Sequence, residues 1–310
     1  MTATIVEGFG GLERASSAVA IGFFDGVHRG HGAIIDRARQ RARERGLRSV
    51  VVTFDRHPME VVAPGSQPRL LQTPGRRVRT LAEQGVDVVV VLPFDDDLRH
   101  LAPEGFVGWV LSGPLEAAAV VVGENFRFGH KAAGDVATLA EIGAREGFSA
   151  EGVTLLTDAG GAAISSTAIR TALDEGDVVA AGRMLGRPHA VDGLVVRGDR
   201  RGASLGYPTA NLHVDARLAV PAPGVYATEF CHPDGRVLPA ATSVGTNPTF
   251  GGHELRVEAH LLDVDEDLYG LDVALAFRER IRGQVAFDRV EDLVAQMDDD
   301  VAAVRRVLGA

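Results

Sequence analysis

Gly22-Phe23-Phe24-Asp25-Gly26-Val27-His28-Arg29-Gly30-His31 follows directly on an apolar run, Ala18-Val19-Ala20-Ile21, and precedes residues that repeat at helical spacing. The pattern predicts a buried strand handing over to a helix N-terminus, with two histidines three residues apart at the junction. A helix N-terminus offers unbonded backbone N–H groups and the positive end of the helix dipole, so the junction suits phosphate. Imidazole donors beside it can follow charge onto phosphate oxygens during transfer. The glycines let backbone come close to a ligand. Two histidines at a turn are more often structural or solvent-exposed than catalytic, so the rest of the chain has to decide.

Outward from this junction, the first half alternates apolar runs with helical patterns. Strands are predicted at Ala18–Phe24, Ser49–Phe54, Val86–Leu92, Ala117–Val122 and near Val153–Leu156. Helices are predicted at Gly32–Gly46, Pro74–Gln84, Pro103–Leu111 and Asp135–Glu146. Continuous Val/Ile runs between helices predict an α/β, Rossmann-like parallel sheet covered on both faces. Ligands of such sheets bind beyond the carboxyl ends of the strands, where the histidine string falls. Two short helices, Ser165–Leu173 and Asp177–Leu185, close this half, and Gly186-Arg187-Pro188 marks a boundary. The expected domains are therefore residues 1–186 and 187–310.

Beyond the boundary the texture changes to short strand-like segments between Gly, Pro and Asp turns. They are Val191–Arg197, Gly224–Phe230, Leu238–Val244, Leu255–Asp263 and Leu271–Arg278. That spacing predicts an antiparallel β-barrel. Val290, Leu293, Val294, Met297, Val301 and Val304 recur at helical spacing, so Asp288–Leu308 is expected to close the chain as an amphipathic helix.

The 310 residues carry 45% hydrophobic and 24% charged side chains and a formal net charge of −10. This balance lacks a basic nucleic-acid footprint, so a small ligand is expected and not DNA or RNA. The single cysteine, Cys231, excludes an intrachain disulfide and a cysteine-based zinc site and fits a reducing cytoplasm. The first residues lack a basic stretch followed by an apolar core, so no signal peptide is expected. No run of about 18 apolar residues is present, so no membrane association is expected either.

Three more strings lie at predicted strand ends or helix starts on the same rim. They are Thr53-Phe54-Asp55-Arg56-His57-Pro58, Gly123-Glu124-Asn125-Phe126-Arg127-Phe128-Gly129, and Ile164-Ser165-Ser166-Thr167-Ala168-Ile169-Arg170. In the last, three hydroxyls at a helix N-terminus with Arg170 a turn later can grip a triphosphate. An ordinary N-cap with a surface arginine would read the same way. Together with Gly22–His31, which resembles the H-x-G-H signature of nucleotidyltransferases, the four strings resemble in order the adenylyltransferase module of bacterial bifunctional riboflavin kinase/FAD synthetases.

That resemblance implies that Gly22, Phe23, Asp25, His28 and His31 hold the ATP phosphates and stabilise charge as pyrophosphate leaves. It implies that Ser165, Ser166, Thr167 and Arg170 clamp the same phosphates. Asn125, with Phe54, Phe126 and Phe128, would line the pocket shared by nucleotide and flavin, although core packing suits each phenylalanine equally. The implied reaction is attack of an FMN phosphate oxygen on the α-phosphorus of ATP, with Mg²⁺ expected. One departure is visible: the family usually has proline where this chain has Arg56.

Gly202-Ala203-Ser204-Leu205-Gly206-Tyr207-Pro208-Thr209-Ala210-Asn211 is the second long signature and resembles the G-x-x-L-G-[FY]-P-T-A-N string of riboflavin kinases. Thr209 and Asn211 share one face of an extended strand, and two neutral oxygens suit Mg²⁺ that also binds substrate phosphates. Further family strings are Pro223–Ala227, Ser243–Phe250, Val257–Asp263 and Asp267–Gly270. The resemblance implies that Gly202, Gly206 and Pro208 bind nucleotide, that Thr209 and Asn211 hold the metal, and that Glu258 is the general base on the riboflavin hydroxyl. Read alone, Glu258 would be an exposed strand residue. Ala203, Ser204 and Ala286 replace basic residues of many relatives, leaving Arg200, Arg201 and Arg282 to compensate, with Arg282 on the flavin side.

The expected function is bifunctional: ATP-dependent phosphorylation of riboflavin to FMN by the C-terminal half, and adenylylation of FMN to FAD by the N-terminal half. One alternative is an FAD synthetase whose second domain binds flavin but phosphorylates weakly. Another is a flavin-binding regulator without turnover.

Overall fold

The computed structural model describes residues 3–158, 160–198, 202, 205–246 and 255–310. Ala203, Ser204, Arg200, Arg201 and the Asn247–Phe250 part of the Ser243 string lie outside the described residues. Two compact units emerge. One holds the chain up to Pro68 and Thr73–Ser165; the other holds Arg69–Gln72 and Ser166–Ala310.

The first unit is built on six parallel strands: β1 (Thr4–Glu7), β2 (Ser17–Ile21), β3 (Arg48–Phe54), β4 (Val88–Leu92), β5 (Ala117–Gly123) and β6 (Ser149–Val153), in the order β1-β4-β3-β2-β5-β6. Adjacent strand residues point to opposite faces. Val19, Ile21, Val50, Val52, Val90 and Val122 meet one apolar cluster, while Ala20, Val51, Val89 and Val121 meet another. Both faces are thus covered, which is why the strands read as unbroken apolar runs. The helices are α1 (Arg29–Arg45), α2 (Pro58–Val62), α3 (Pro74–Ala82), α4 (Asp96–His100), α5 (Pro103–Phe106) and α6 (Val136–Glu146).

Several boundaries differ from expectation. β2 stops at Ile21 and not Phe24, because Phe24 turns to a φ of 57°. α1 begins at Arg29 and not Gly32, because His28 caps it and Arg29-Gly30-His31 form its polar first turn. The helix predicted over Pro103–Leu111 is helical throughout, but past Phe106 it widens to a π-helix, Val107–Ser112. β6 lies at Ser149–Val153, ahead of the predicted Val153–Leu156, because Gly147 ends α6 in the left-handed region and Ser149 pairs at once with Ala119. The short β1 was not expected.

In the second unit, β7 (His189–Val196), β8 (Ala210–His213), β9 (Gly224–Cys231), β10 (Val237–Thr246), β11 (Leu255–Leu261) and β12 (Asp272–Arg282) close an antiparallel barrel in the order β10-β11-β8-β7-β12-β9. Closure leaves no unpaired sheet edge. Tyr226, Phe230, Leu275 and Phe277 fill it, and the buried Thr228 and Thr242 hydroxyls satisfy each other at 2.6 Å. α7 (Ser166–Asp174) and α8 (Val178–Leu185) pack with this barrel. Ala222 N donates to Leu173 O at 2.8 Å, and Arg280 bridges Glu175 O and Pro223 O. Leu70 adds a short parallel bridge at Leu218. α9 (Val290–Leu308) buries Val304 against Ala227 and Leu262.

Candidate active sites

In the first unit the chain runs from β2 through β3 and β4 to one side and places β5 and β6 on the other. The sheet therefore reverses its direction of winding between β2 and β5, the position where ligands bind α/β sheets. Gly22–His31 leaves β2, Thr53–Pro58 leaves β3 and Gly123–Gly129 leaves β5, all at carboxyl ends. Three of the four expected strings are thereby brought to one rim.

The histidine turn is strained. Phe24, Gly26 and Val27 take φ of 57°, 81° and 41°, conformations that a non-glycine residue adopts only where surroundings impose them. His28 Nδ1 accepts from His31 N at 3.3 Å, and the two rings stack at 3.5 Å. A Cβ on Gly30 would stand 3.1 Å from the His28 ring, so glycine lets that ring lie over the first turn. Asp25 and His28 are buried, 4% and 6% exposed. Ile164 O lies 3.5 Å from the same Gly30 position, bringing the start of the Ser165 string beside α1. Ser166, Thr167 and Arg170 open α7 in the second unit, where Arg170 Nε donates to Arg69 O at 2.5 Å.

Phe54 and Phe128 are buried core residues. Phe126 is half-buried and stacks on Phe128 at 5.6 Å, and Asn125 is exposed with its Oδ1 over Gly123. Asp55 is partly buried, which opposes ionisation, yet Arg56 and the Phe94 N–H hold its carboxyl below the usual value. Arg56 spends its side chain on Asp55 at 2.9 Å. His57 caps α2 in a capping box with Glu60.

Sequence reading missed Arg77. It lies on α3, is 1% exposed, covers the Phe23 ring at 3.9 Å and donates to Phe54 O. The signal was present: Arg77 stands four residues before Leu81, on the apolar stripe of its helix.

In the second unit the PTAN string runs into a barrel strand, its Ala210 and Asn211 opening β8. The register sets Asn211 of β8 directly opposite Glu258 of β11, and Ser243 of β10 on the other side of Glu258. Directly opposed residues on paired strands have Cβ atoms about 4.5–5.5 Å apart. Val257 and Ala259 point into the barrel and are buried, so Glu258 and Asn211 share the other, half-buried face. Asn211 lies over Gly198 so closely that no Cβ fits there. Gly202 O accepts from Leu205 N at 3.0 Å and Tyr207 N at 2.9 Å, and a Cβ on Gly202 would collide with Tyr207 O. Gly206 takes a φ of 88°. His260 Nδ1 donates to Pro208 O at 2.8 Å, fixing the residue before Thr209. The Tyr207 hydroxyl donates to Asp298 of α9, which with partial burial pushes the phenol up to about 12.

Arg282 is committed to α9. Its Nε and Nη2 donate to the buried Asp300 at 2.9 and 2.7 Å, and Gln296 adds a bond to the same carboxylate at 3.1 Å. Among the described residues no group of three His, Cys, Asp or Glu side chains forms a metal cage. Asn211 opposite Glu258, with Thr209 two residues before it, offers hard, neutral oxygens, a donor set that fits a magnesium ion shared with phosphate oxygens.

Comparison with protein families matches residues 12–168 to FAD synthetase and residues 185–308 to riboflavin kinase. A bifunctional riboflavin kinase/FMN adenylyltransferase from Escherichia coli strain K12 is 35% identical over 98% of both chains. One from Pseudomonas fluorescens is 37% identical over 94% of this chain and 93% of its own. A crystal structure described as a macrolide-efflux protein from Streptococcus pneumoniae aligns with a TM-score of 0.87 and 32% identity, over 98% of this chain and 99% of its own. Among the described residues of this chain no helix is long and apolar enough to cross a membrane.

Proposed function

The chain belongs to the family of bifunctional riboflavin kinase/FMN adenylyltransferases, and from that premise we propose which residues carry each of its two reactions. It is a transferase that phosphorylates riboflavin to FMN with ATP and adenylylates FMN to FAD. The functional halves are residues 1–186 and 187–310; in support, the FAD synthetase match ends at 168 and the riboflavin kinase match begins at 185.

For adenylylation, Gly22, Phe23, Asp25, His28 and His31 with the N-terminus of α1 receive the ATP phosphates. Ser165, Ser166, Thr167 and Arg170 clamp them, and Asn125, Phe54, Phe126 and Phe128 form the nucleotide and flavin side. An FMN phosphate oxygen bonds to the α-phosphorus while the bond to pyrophosphate breaks. Charge then grows on the leaving oxygens, where the imidazoles and the N–H groups of the first turn can donate. No covalent enzyme intermediate is required, so the protein contributes positioning and electrostatics.

For phosphorylation, Glu258 takes the proton of the riboflavin hydroxyl as that oxygen bonds to the γ-phosphorus and ADP leaves. Gly202, Gly206 and Pro208 shape the nucleotide loop, and Arg282 borders the flavin. Thr209 and Asn211 would hold Mg²⁺, which when bound neutralises phosphate charge. The observation that carries this assignment is the register of Asn211 against Glu258, which joins the phosphate string to the base and favours neither a silent kinase nor a regulator without turnover. The substrates are small molecules and no nucleic-acid partner is proposed. A cytoplasmic location accords with the lone Cys231.

The test is a chromatographic time course started from riboflavin and, in parallel, from FMN. Glu258→Gln should stop FMN formation and spare FAD formation from FMN, and His28→Ala should do the reverse. Loss of both activities in either variant sinks the two-site assignment.

A further inference from the structure

Arg77 is a fully buried arginine of the adenylyltransferase unit that none of the expected site strings contains. Its guanidinium lies 3.9 Å over the Phe23 ring, and its Nη2 donates to Phe54 O. The Phe23 and His57 rings meet edge-to-face with their centroids 4.8 Å apart, so the phenyl ring touches two side chains. Phe23 opens the strained turn that carries Asp25 and His28, and its carbonyl accepts from Thr53 Oγ1 at 3.0 Å. Phe54 ends β3 and leads into Asp55–Pro58. One planar group thus joins two of the strings that form the rim.

Stability alone does not account for a charge here. Burial pushes the guanidinium down to about 10, and Nε has no hydrogen-bond partner. Asp25, Asp55 and Glu60 attract the charge through space and offset part of that cost. An apolar side chain of similar length would fill the same volume without desolvating a cation.

We propose that Arg77 is a positioning residue for FMN adenylylation, clamping the Phe23 ring and the Phe54 carbonyl so that the turn bearing His28 and His31 stays fixed against the end of β3. The inference rests on the assignment of His28 and His31 to that reaction. Arg77 acts through Phe23 and touches neither substrate. A loosened turn misaligns groups that matter most in the transition state, so turnover suffers and ground-state binding is spared.

The experiment measures both activities of the full chain in Arg77→Met, Arg77→Lys, Phe23→Leu and the Arg77→Met/Phe23→Leu double variant, with His28→Ala as reference. In Arg77→Met the kcat for FAD formation should fall by about tenfold to a hundredfold, with KM for ATP and FMN within about threefold. FMN formation and the melting temperature should hold, and Arg77→Lys should recover part of the rate. The double variant should be no slower than the worse single variant, since both substitutions release one clamp. Unchanged kcat overturns the proposal, as does a loss confined to KM. Additive losses in the double variant overturn it too, as does a matching fall of both activities with the melting temperature. If His28→Ala leaves FAD synthesis intact, the histidine assignment itself fails; if it abolishes synthesis while the Arg77 variants do not, only the present inference fails.

Discussion

Removing the Asp300 carboxylate should unseat α9 and silence one activity while sparing the other. Asp300 is 6% exposed and Arg282 20% exposed at their side chains, and three hydrogen bonds from Arg282 reach the two carboxylate oxygens. Removing one partner of a buried pair costs about 3–5 kcal/mol, because the other charge is left buried and uncompensated. Arg282 keeps some solvent, so the lower end applies, and Asp300→Ala should cost about 3 kcal/mol. For a unit of about 150 residues, each kcal/mol lowers the transition by about 2–4 °C. The barrel unit should therefore melt about 6–12 °C lower in Asp300→Ala by scanning calorimetry. α9 also presents Asp298 to the Tyr207 hydroxyl, so its release should disturb the Gly202–Asn211 loop. FMN formation should fall well below the melting temperature, while FAD formation from supplied FMN continues. The double variant Arg282→Met/Asp300→Leu should regain most of the lost stability, because no orphan charge remains. A shift under about 2 °C in Asp300→Ala, or a double variant as unstable as the sum of the singles, would refute the reasoning.

Glu258→Gln keeps the shape of the side chain but cannot accept the hydroxyl proton, so kcat for FMN formation should fall by about 10²–10⁴ in a coupled ADP assay with KM little changed. Gly202→Ala should raise the nucleotide KM of the kinase, because the new Cβ collides with Tyr207 O and must open the loop; an unchanged KM would show the loop to be more pliable than its hydrogen bonds suggest. Tyr207 is held protonated in the fold, with its phenol pushed up from 10.0 to about 12, so its contribution is complete below pH 10 and is lost as pH rises toward 12. A phenolate absorbance titration should show a component near the upper value that Tyr207→Phe removes.

Much of the fold was legible because its signals are local. Val50–Val52 and Val120–Val122 read as buried strands since both faces of a covered parallel sheet exclude water. Misread boundaries share a cause: the deciding residue was polar or its backbone unusual. His28 caps α1 through its own ring, so helical periodicity begins three residues too late to reveal the start. Phe24 ends β2 through a positive φ that no propensity favours for phenylalanine. Arg77 went unnoticed because an arginine on an apolar stripe looks like a surface residue that happens to fall there.

The sequence by itself determined the parallel sheet, the barrel and the strings that line their rims, because those depend on residue type at short spacing, and the two reaction chemistries through the resemblance of those strings to a known family. Tertiary structure decided which of these residues meet. Asn211 faces Glu258 only through a strand register that joins positions 47 apart in the chain. Arg282, which the proposed kinase site sets beside flavin, is also anchored to a carboxylate on α9, and α7 packs with the barrel although its motif resembles the other module. Such pairings are set by how whole elements bury their apolar faces, a property of the packed chain that no single segment encodes.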